Sequence, residues 1–146
     1  MIAMAYWLLK SEPHAWSWDQ QKKEGHKGAE WDGVRNFQAR NNMRKMKKGD
    51  FAFFYHSGED KAVVGIVKVV TEAHPDSTDR TGHWECVDVA AVRDLPRPVT
   101  LAEIKAEPSL KSMVLVRVSR LSVQPVTTAE WNKVRAMGGL TEPSRA

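Results

Sequence analysis

Three short stretches of this 146-residue chain combine aromatic or apolar side chains with polar groups that can hold a flat ligand. They are residues 10–13, 31–36 and 53–57, and two of them lie at the edge of an apolar run, where a strand would deliver its last side chains to a pocket. An indole ring stacks on a nucleobase with a gain of about 1–3 kcal/mol. No hydrolase triad or metal cluster accompanies these stretches, so the pattern favours recognition of a nucleobase over catalysis.

The middle stretch offers Trp31 as a stacking residue. Asp32 or a backbone group would then bind the base edge, and Gly33 permits a close backbone approach. Arg35 provides a planar fork for phosphate or for a base edge. Asn36 either makes two hydrogen bonds to a base or caps the helix that follows. The alternative for Trp31 is a ring that only packs between a helix and the barrel.

The first stretch places three polar residues, Lys10, Ser11 and Glu12, at the end of a predicted strand. Side chains and backbone amides at a strand end project into pockets, and this short string can match the donors and acceptors of a base. The alternative is a solvated turn before Pro13.

The third stretch closes an apolar strand with Tyr55, His56 and Ser57. Adjacent residues on a strand point to opposite faces, so His56 and Ser57 are not expected to form a catalytic pair. We expect these residues to line the pocket, with a hydrogen-bonded core histidine as the alternative for His56.

Further basic residues are candidates for phosphate binding. Residues 36–48 form a predicted basic helix that includes Arg40 and could follow a phosphate backbone, although a solvated basic face is the simpler interpretation. Ser119 and Arg120 interrupt an apolar region, where Arg120 forms either a buried ion pair or a phosphate contact.

Composition limits the remaining possibilities. A net charge of +4 and a pI of about 9.3 favour an anionic partner. The single cysteine excludes an internal disulfide and suits a reducing, cytoplasmic setting. Residues 1–9 are interpreted as a first strand rather than a signal peptide, and no apolar run is long enough to cross a membrane. The spacing of His74, Asp76, Asp79 and His83 matches no ligand pattern, so we expect no metal, no cofactor and no catalytic residue.

Local patterns predict the elements that position these residues. Helices are predicted at residues 18–24 after the cap Ser17, 36–46, 101–107 and 129–137, the last two each opened by a Thr-x-x-Glu capping box. Strands are predicted at residues 5–10, 51–57, 63–70 with a bulge at Gly65, 84–92, 113–118 and 121–126, with a loop at 74–77. This order predicts one α+β domain with a small mixed β-barrel of about five or six strands and peripheral helices.

Several motifs, in order, resemble the EVE domain. They are Tyr6-Trp7-Leu8-Leu9-Lys10-Ser11-Glu12-Pro13, Trp31-Asp32-Gly33-Val34-Arg35-Asn36, Phe53-Phe54-Tyr55-His56-Ser57, Ser119-Arg120-Leu121-Ser122 and Met137-Gly138-Gly139-Leu140. The likeness spans about residues 5–140. It implies a PUA-like fold and a relationship to the YTH domains, which bind methylated adenine in RNA.

The resemblance also implies a function. EVE domains are thought to accept a modified base, such as methylated cytosine, flipped out of DNA at a cost of a few kcal/mol. Lys10-Ser11 and Trp31 resemble the residues that line the YTH base pocket, and Tyr55 is proposed as a second aromatic wall. Glu12 and Pro13 depart from the YTH pattern, which puts a transfer of methyladenine specificity in doubt.

These considerations predict a non-enzymatic reader of a modified nucleobase, methylated cytosine or adenine, in DNA or RNA. The expected base pocket comprises Lys10, Ser11, Glu12, Trp31, Gly33, Val34, Asn36, Tyr55, His56 and Ser57. The expected phosphate or supporting residues are Arg35, Arg40, Ser119 and Arg120. Alanine at Trp31 is expected to abolish binding while leaving the fold largely intact.

Two alternatives belong to other classes of protein. The related ASCH branch of this fold includes hydrolases that act on modified cytidine, for which Lys10 and Glu12 would supply acid–base groups. The other alternative is a module that binds a small ligand or a protein and no nucleic acid.

Overall fold

A computed structural model describes residues 5–142 and 145–146 of the chain, so the start of the predicted first segment, residues 1–4, lies outside the described residues. Six strands form one mixed sheet in the order β2-β5-β4-β3-β1-β6. They are β1 Tyr6–Ser11, β2 Ala29–Glu30, β3 Phe51–His56, β4 Ala62–Pro75, β5 Glu85–Thr100 and β6 Val123–Val126. The helices are α1 Trp18–Lys23, α2 Phe37–Lys45, α3 Leu101–Ala106, α4 Val114–Arg117 and α5 Thr128–Met137, with short 3₁₀ turns at Gly25–Lys27 and Pro108–Leu110.

Two cores lie on the two faces of the sheet. β1 and β3 are neighbours in this sheet and run parallel, with Leu9 opposite Phe54 and Lys10 opposite Tyr55. Because side chains alternate along a strand, Leu9 and Phe54 join one core while Phe53 and Tyr55 join the other. The prediction that residues 51–57 form a strand buried on both faces is confirmed, and this alternation decides which side chains can reach a common pocket.

Capping boxes begin three helices at the predicted residues. The Ser17 hydroxyl accepts a hydrogen bond from the backbone N–H of Gln20 at the start of α1, and the Ser17 backbone N–H donates to Gln20 Oε1. Thr100 with Glu103, and Thr127 with Glu130, form the same arrangement in α3 and α5. Loss of one such cap costs about 0.5–2 kcal/mol, so these residues fix the starting points of the helices.

The predicted bulge at Gly65 allows α1 to pack closely on the sheet. The ladder between β3 and β4 shifts register at Phe54/Tyr55, beside this glycine. A Cβ atom at Gly65 would lie only 2.2 Å from the Trp18 ring, so any larger residue would displace the indole. The Trp18 Nε1–H also donates to Asp94 at 2.6 Å, which anchors α1 against β5.

The α+β class and the number of strands are confirmed, but the barrel is not closed. Within residues 5–142 and 145–146, no ladder joins the edge strands β2 and β6. The long strands β4 and β5 bend instead, through four register shifts between them. The sheet therefore remains open between β2 and β6.

Three predicted elements differ from the structure. The strand predicted at residues 113–118 is the helix α4, which buries Leu115 and follows the buried residues Leu110 and Met113. The loop predicted at 74–77 begins inside β4, since His74 pairs with Cys86. β5 continues past residue 92 to Thr100. Its two prolines, Pro96 and Pro98, are tolerated because they lie where the ladder with β4 is interrupted, between Asp94 and Val99.

Across the part of the chain that the structure describes, none of the helices has the length and apolar character required to span a membrane.

Candidate nucleic-acid binding site

A cavity of about 600 Å³ opens where β1 ends. Its walls come from the end of β1, the turn that follows, the segment from β2 to the start of α2, and the loop before β6. The lining residues are Lys10, Ser11, Glu12, Ala15, Trp16, Ala29, Glu30, Trp31, Asp32, Gly33, Val34, Arg35 and Ser122. This volume lies in the range of pockets that enclose small ligands, about 300–1,000 Å³.

Two of the three predicted stretches meet at this cavity. Seven of the predicted site residues line it, namely Lys10, Ser11, Glu12, Trp31, Gly33, Val34 and Arg35. Trp31 combines the two roles considered for it, since it lines the cavity while only 6% of its surface is exposed. Its ring meets Phe54 edge-on at 5.4 Å, and its backbone N–H donates to the carbonyl of Val87 at 2.8 Å. Trp31 is therefore a fixed wall of the cavity and part of the core.

The second aromatic wall is Trp16, which sequence reasoning missed. Its ring is half-buried, and its Nε1–H donates to Gln21 Oε1 at 2.9 Å. The Ser11 hydroxyl donates to the Trp16 carbonyl, while the Trp16 N–H donates to the carbonyl of Glu12 at 2.9 Å. The turn after Pro13 thus folds Trp16 back towards the Lys-Ser pair. The sequence contains one signal for this position, because Trp16 follows Ser11 by five residues across the turn at Pro13.

Asp76 holds the segment that carries Trp31, Gly33 and Arg35. Its buried carboxylate accepts hydrogen bonds from the Gly33 N–H at 2.9 Å and from Arg35 Nη1 at 3.2 Å. It also accepts from the Thr78 N–H and hydroxyl. Burial raises the pKa of Asp76, but these hydrogen bonds outweigh it and leave the pKa below its ordinary value. Asp76 is a positioning residue for the cavity, and sequence reasoning considered it only as a metal ligand.

Carboxylates and cations share the cavity lining. Glu12, Glu30 and Asp32 supply acceptors and Arg35 supplies donors, whereas the Lys10 ammonium lies on the side of Tyr55, 5.9 Å from the centre of that ring. Burial raises the pKa of Asp32, and the carboxylates of Asp76 and Glu30 raise it further, against the opposing effect of Arg35. Burial lowers the pKa of Lys10, whose Nζ donates to the Ser119 carbonyl at 2.7 Å. The cavity can therefore bind the donors and the acceptors of one planar ring.

Tyr55 does not form a second wall of this cavity. It lies on the opposite face of the sheet from Trp31, because Tyr55 and Phe53 are two residues apart in β3 and therefore point to the same face. There it lines another cavity of about 350 Å³, which it shares with Lys10, Ser57 and Ser119. The prediction that Tyr55 and Ser57 line the pocket of Trp31 is wrong for this reason.

His56 is a structural residue at the start of α1. Its Nε2 accepts a hydrogen bond from the Trp18 backbone N–H at 3.0 Å, and its Nδ1 lies 3.2 Å from Asp60 Oδ2. Because a backbone N–H must donate, the ring carries its proton on Nδ1 and directs it towards the carboxylate. His56 does not line the cavity, so the core-histidine alternative describes it better than the pocket prediction.

The remaining predicted residues lie outside the cavity. Asn36 caps α2, since its Oδ1 accepts from the Ala39 N–H at 2.9 Å. The Arg40 guanidinium lies 4.8 Å from the centre of the Phe37 ring. Arg120 is exposed, which excludes the buried ion pair considered for it.

One cluster of possible metal ligands occurs among the described residues. His74, Cys86 and Asp88 place one ligand atom each within 4.8 Å of one another. His74 Nε2 lies 2.7 Å from Asp88 Oδ1 and its Nδ1 lies 3.0 Å from the Pro75 carbonyl, so both ring nitrogens face acceptors. That arrangement suits a protonated imidazolium rather than a metal ligand, and burial raises the pKa of the Cys86 thiol. The cluster is best described as an ion pair.

This ion pair predicts a loss of stability as the pH rises above 6.5. Burial lowers the pKa of His74, but hydrogen bonds to Asp88 and to the Pro75 carbonyl outweigh it, so the net pKa lies above 6.5. The resulting stabilisation is fully present below pH 6.5 and is lost as the pH rises through the pKa of the folded state. NMR titration should give a His74 pKa above 6.5 in the wild type and a lower one in Asp88→Asn. An unchanged pKa in Asp88→Asn would contradict the assignment.

The fold and the site together define the class of protein. A mixed sheet with peripheral helices and a cavity at the end of its first strand form a PUA-like α+β fold. A YTH domain from Zygosaccharomyces rouxii shares it, with a TM-score of 0.56 and 15% identity over 94% of this chain and 91% of that chain. The EVE domain model matches residues 5–137, and the chain belongs to the EVE domain family.

Its relatives include bacterial and animal proteins. A protein from Agrobacterium tumefaciens is 58% identical, with a TM-score of 0.91 over 95% of this chain and 96% of that one. The human THYN1 protein, solved in complex with DNA containing 5-methylcytosine, is 37% identical, with a TM-score of 0.85 over 95% of this chain and 99% of that one. Thymocyte nuclear protein 1 of Mus musculus is 39% identical over 95% of this chain and 75% of its own length.

Proposed function

We propose that this protein is a non-enzymatic reader that binds a modified nucleobase of nucleic acid, with 5-methylcytosine in DNA as the leading ligand. The observation that carries the proposal is a single cavity whose lining combines two tryptophans with acidic and basic side chains. The relative of known structure that was solved with 5-methylcytosine DNA supports this choice of base.

The cavity residues divide into stacking and edge-binding groups. Trp16 and Trp31 offer the faces of the base an aromatic surface, worth about 1–3 kcal/mol for each base stacked. A carboxylate of Glu12 or Asp32 accepts a hydrogen bond from the exocyclic amine of cytosine, which is a donor. Arg35, which lines the same cavity, supplies a donor for the carbonyl oxygen of the ring. A base read in this way has left its duplex stack, at a cost of a few kcal/mol that these contacts offset.

The cavity distinguishes 5-methylcytosine from cytosine by burying the methyl group. Ala15, Ala29 and Val34 contribute apolar surface to the cavity. Burying one methyl group gains about 0.8 kcal/mol, which corresponds to about a fourfold preference for 5-methylcytosine over cytosine. Larger preferences require that the unmodified base leave a void or misplace its hydrogen bonds.

A binding titration tests the proposal. Short DNA duplexes that carry cytosine, 5-methylcytosine or N6-methyladenine at one position are titrated at low and moderate salt, and tryptophan fluorescence is followed. We expect tightest binding to the 5-methylcytosine duplex, by about fourfold over cytosine, and weaker binding at higher salt because phosphate contacts release counterions.

Two further readouts of the same experiment, mass spectrometry and salt dependence, separate the alternatives. Mass spectrometry of the recovered DNA and of added acylated or alkylated cytidines would detect turnover if Lys10 and Glu12 served a hydrolase. Binding that ignores salt would indicate a small-ligand or protein module. Equal affinity for all three duplexes would contradict a reader of modified bases.

A further inference from the structure

An exposed aromatic pair lies beside the cavity. Phe37, the first residue of α2, leaves 60% of its surface exposed, more than any other large hydrophobic residue in the described ranges. Its ring stacks on Trp84, which precedes β5, with centroids 4.8 Å apart and planes 24° from parallel. Most of the Phe37 ring therefore remains open to solvent, where it offers a flat aromatic face on which a base can stack.

Two arginines complete this surface, which we call the aromatic platform and define as Phe37, Trp84, Arg35 and Arg40. The Arg40 guanidinium lies 4.8 Å from the Phe37 centroid and 5.7 Å from the Trp84 centroid, and that of Arg35 lies 5.6 Å from Trp84. Among the described residues, Arg40 has no carboxylate partner, because its N–H groups donate to the His83 carbonyl and to Asn41 Oδ1. Arg35 is paired with Asp76, so Arg40 carries the platform charge that no carboxylate among the described residues neutralises.

The platform is continuous with the cavity. Arg35 belongs to both, since it lines the cavity and stacks over Trp84. Only Asn36, the cap of α2, separates Arg35 from Phe37 along the chain. A nucleic-acid strand that places one base in the cavity would therefore carry its next nucleotide across this surface.

We propose that the aromatic platform binds the nucleotide next to the base in the cavity, with its base stacked on Phe37 and its phosphate facing Arg40. This inference rests on the proposed function. The Phe37 ring packs against Trp84, and the Arg40 guanidinium lies beside both rings, as suits a platform under an unpaired base rather than a wedge driven between base pairs. Stacking of this kind tolerates any base, so the platform adds affinity for single-stranded or locally opened DNA without choosing a sequence.

A truncation of Phe37 tests the platform. Wild type, Phe37→Ala and the control Val92→Ala, which shortens an exposed apolar side chain outside the platform, are titrated by calorimetry. The probes are a short single-stranded oligonucleotide with one 5-methylcytosine, the same oligonucleotide unmodified, and free 5-methyl-2′-deoxycytidine. We expect Phe37→Ala to bind both oligonucleotides about 5- to 100-fold more weakly, to bind the nucleoside like the wild type, and Val92→Ala to match the wild type throughout.

Salt dependence tests the role of Arg40. Arg40→Gln should reduce the slope of log K against log salt by about 0.7 for a single strand, because one phosphate contact is lost. Arg40→Lys should keep that slope, since it keeps the charge. A slope for Arg40→Gln equal to that of the wild type would overturn the phosphate contact.

The outcomes separate this inference from the proposed function. Equal oligonucleotide affinities of wild type and Phe37→Ala, including no binding by either, would overturn the platform. Weaker oligonucleotide binding by Phe37→Ala without any preference for 5-methylcytosine would support the platform and contradict the modified-base reader.

Discussion

Replacing Trp31 by alanine is expected to lower the free energy of unfolding by about 3–5 kcal/mol. The indole is 6% exposed and packs on Phe54 within the core beneath the cavity. Its removal leaves a void that the neighbouring strands cannot fill. Burial of the indole argues for this cost, whereas the prediction from sequence is that the alanine variant keeps its fold largely intact. Urea denaturation of wild type and variant measures the difference.

The Trp16→Ala variant provides the matched comparison for Trp31→Ala. Its ring is half-buried at the opening and outside the cluster of fully buried residues, so Trp16→Ala should unfold at nearly the same urea concentration as the wild type. Binding of 5-methylcytosine DNA should fall by about 5- to 100-fold, the range expected for the loss of one stacking face. Trp31→Phe, which keeps most of the packing, should bind more weakly than the wild type while folded. Normal binding by Trp16→Ala would exclude it as a wall of the base site.

The second large effect is expected at Asp76, because its buried carboxylate organises the cavity segment without touching a ligand. Asp76→Ala leaves the Gly33 and Thr78 N–H groups without an acceptor and frees Arg35. Gly33 and Thr78 are exposed, so water can replace the lost acceptor, and the cost is that of hydrogen bonds to a charged group, about 1.5–3 kcal/mol. We expect loss of DNA binding together with this loss of stability. Asp76→Asn keeps an acceptor oxygen and should lose less of both.

The dependence of stability on pH provides a separate test of Asp76. Its pKa is lower in the folded state than in the unfolded chain. Its contribution is therefore present above the unfolded value of about 3.9 and is lost as the pH falls through the folded value. Asp76→Asn should show a shallower loss of stability on acidification than the wild type. Parallel acid-unfolding curves would contradict the role given to the carboxylate.

Local pattern predicts much of the fold. Alternation along residues 51–57 predicts a strand buried on both faces, and Thr100, Thr127 and Ser17 predict helix starts. These features depend on contacts within a few residues. The extension of β5 to Thr100 and the helix α4 were missed because the first depends on its pairing with β4, and the second on burial of Leu110 and Met113 under distant elements.

The site could be predicted from the sequence where the alternation of side chains along a strand and proximity along the chain point to the same cavity. Lys10, Ser11 and Trp31 meet at one cavity as predicted, while Tyr55 faces the opposite core because the register of β3 on β1 fixes its side. Asp76 lies 43 residues from Gly33 along the chain. No spacing in the sequence indicates that the bend at the end of β4 brings the two together.

The most direct test of a base site at the end of β1 uses the free nucleoside and the indole N–H signals of the protein. In ¹H–¹⁵N NMR spectra, addition of 5-methyl-2′-deoxycytidine should shift the indole signals of Trp16 and Trp31 and the backbone amide of Gly33. Trp131, which is fully buried in the core on the other face of the sheet, should keep its signal unchanged. Shifts that cluster instead at the second cavity, around Lys61 and Lys105, or spectra that do not change at all, would contradict a base site at the end of β1.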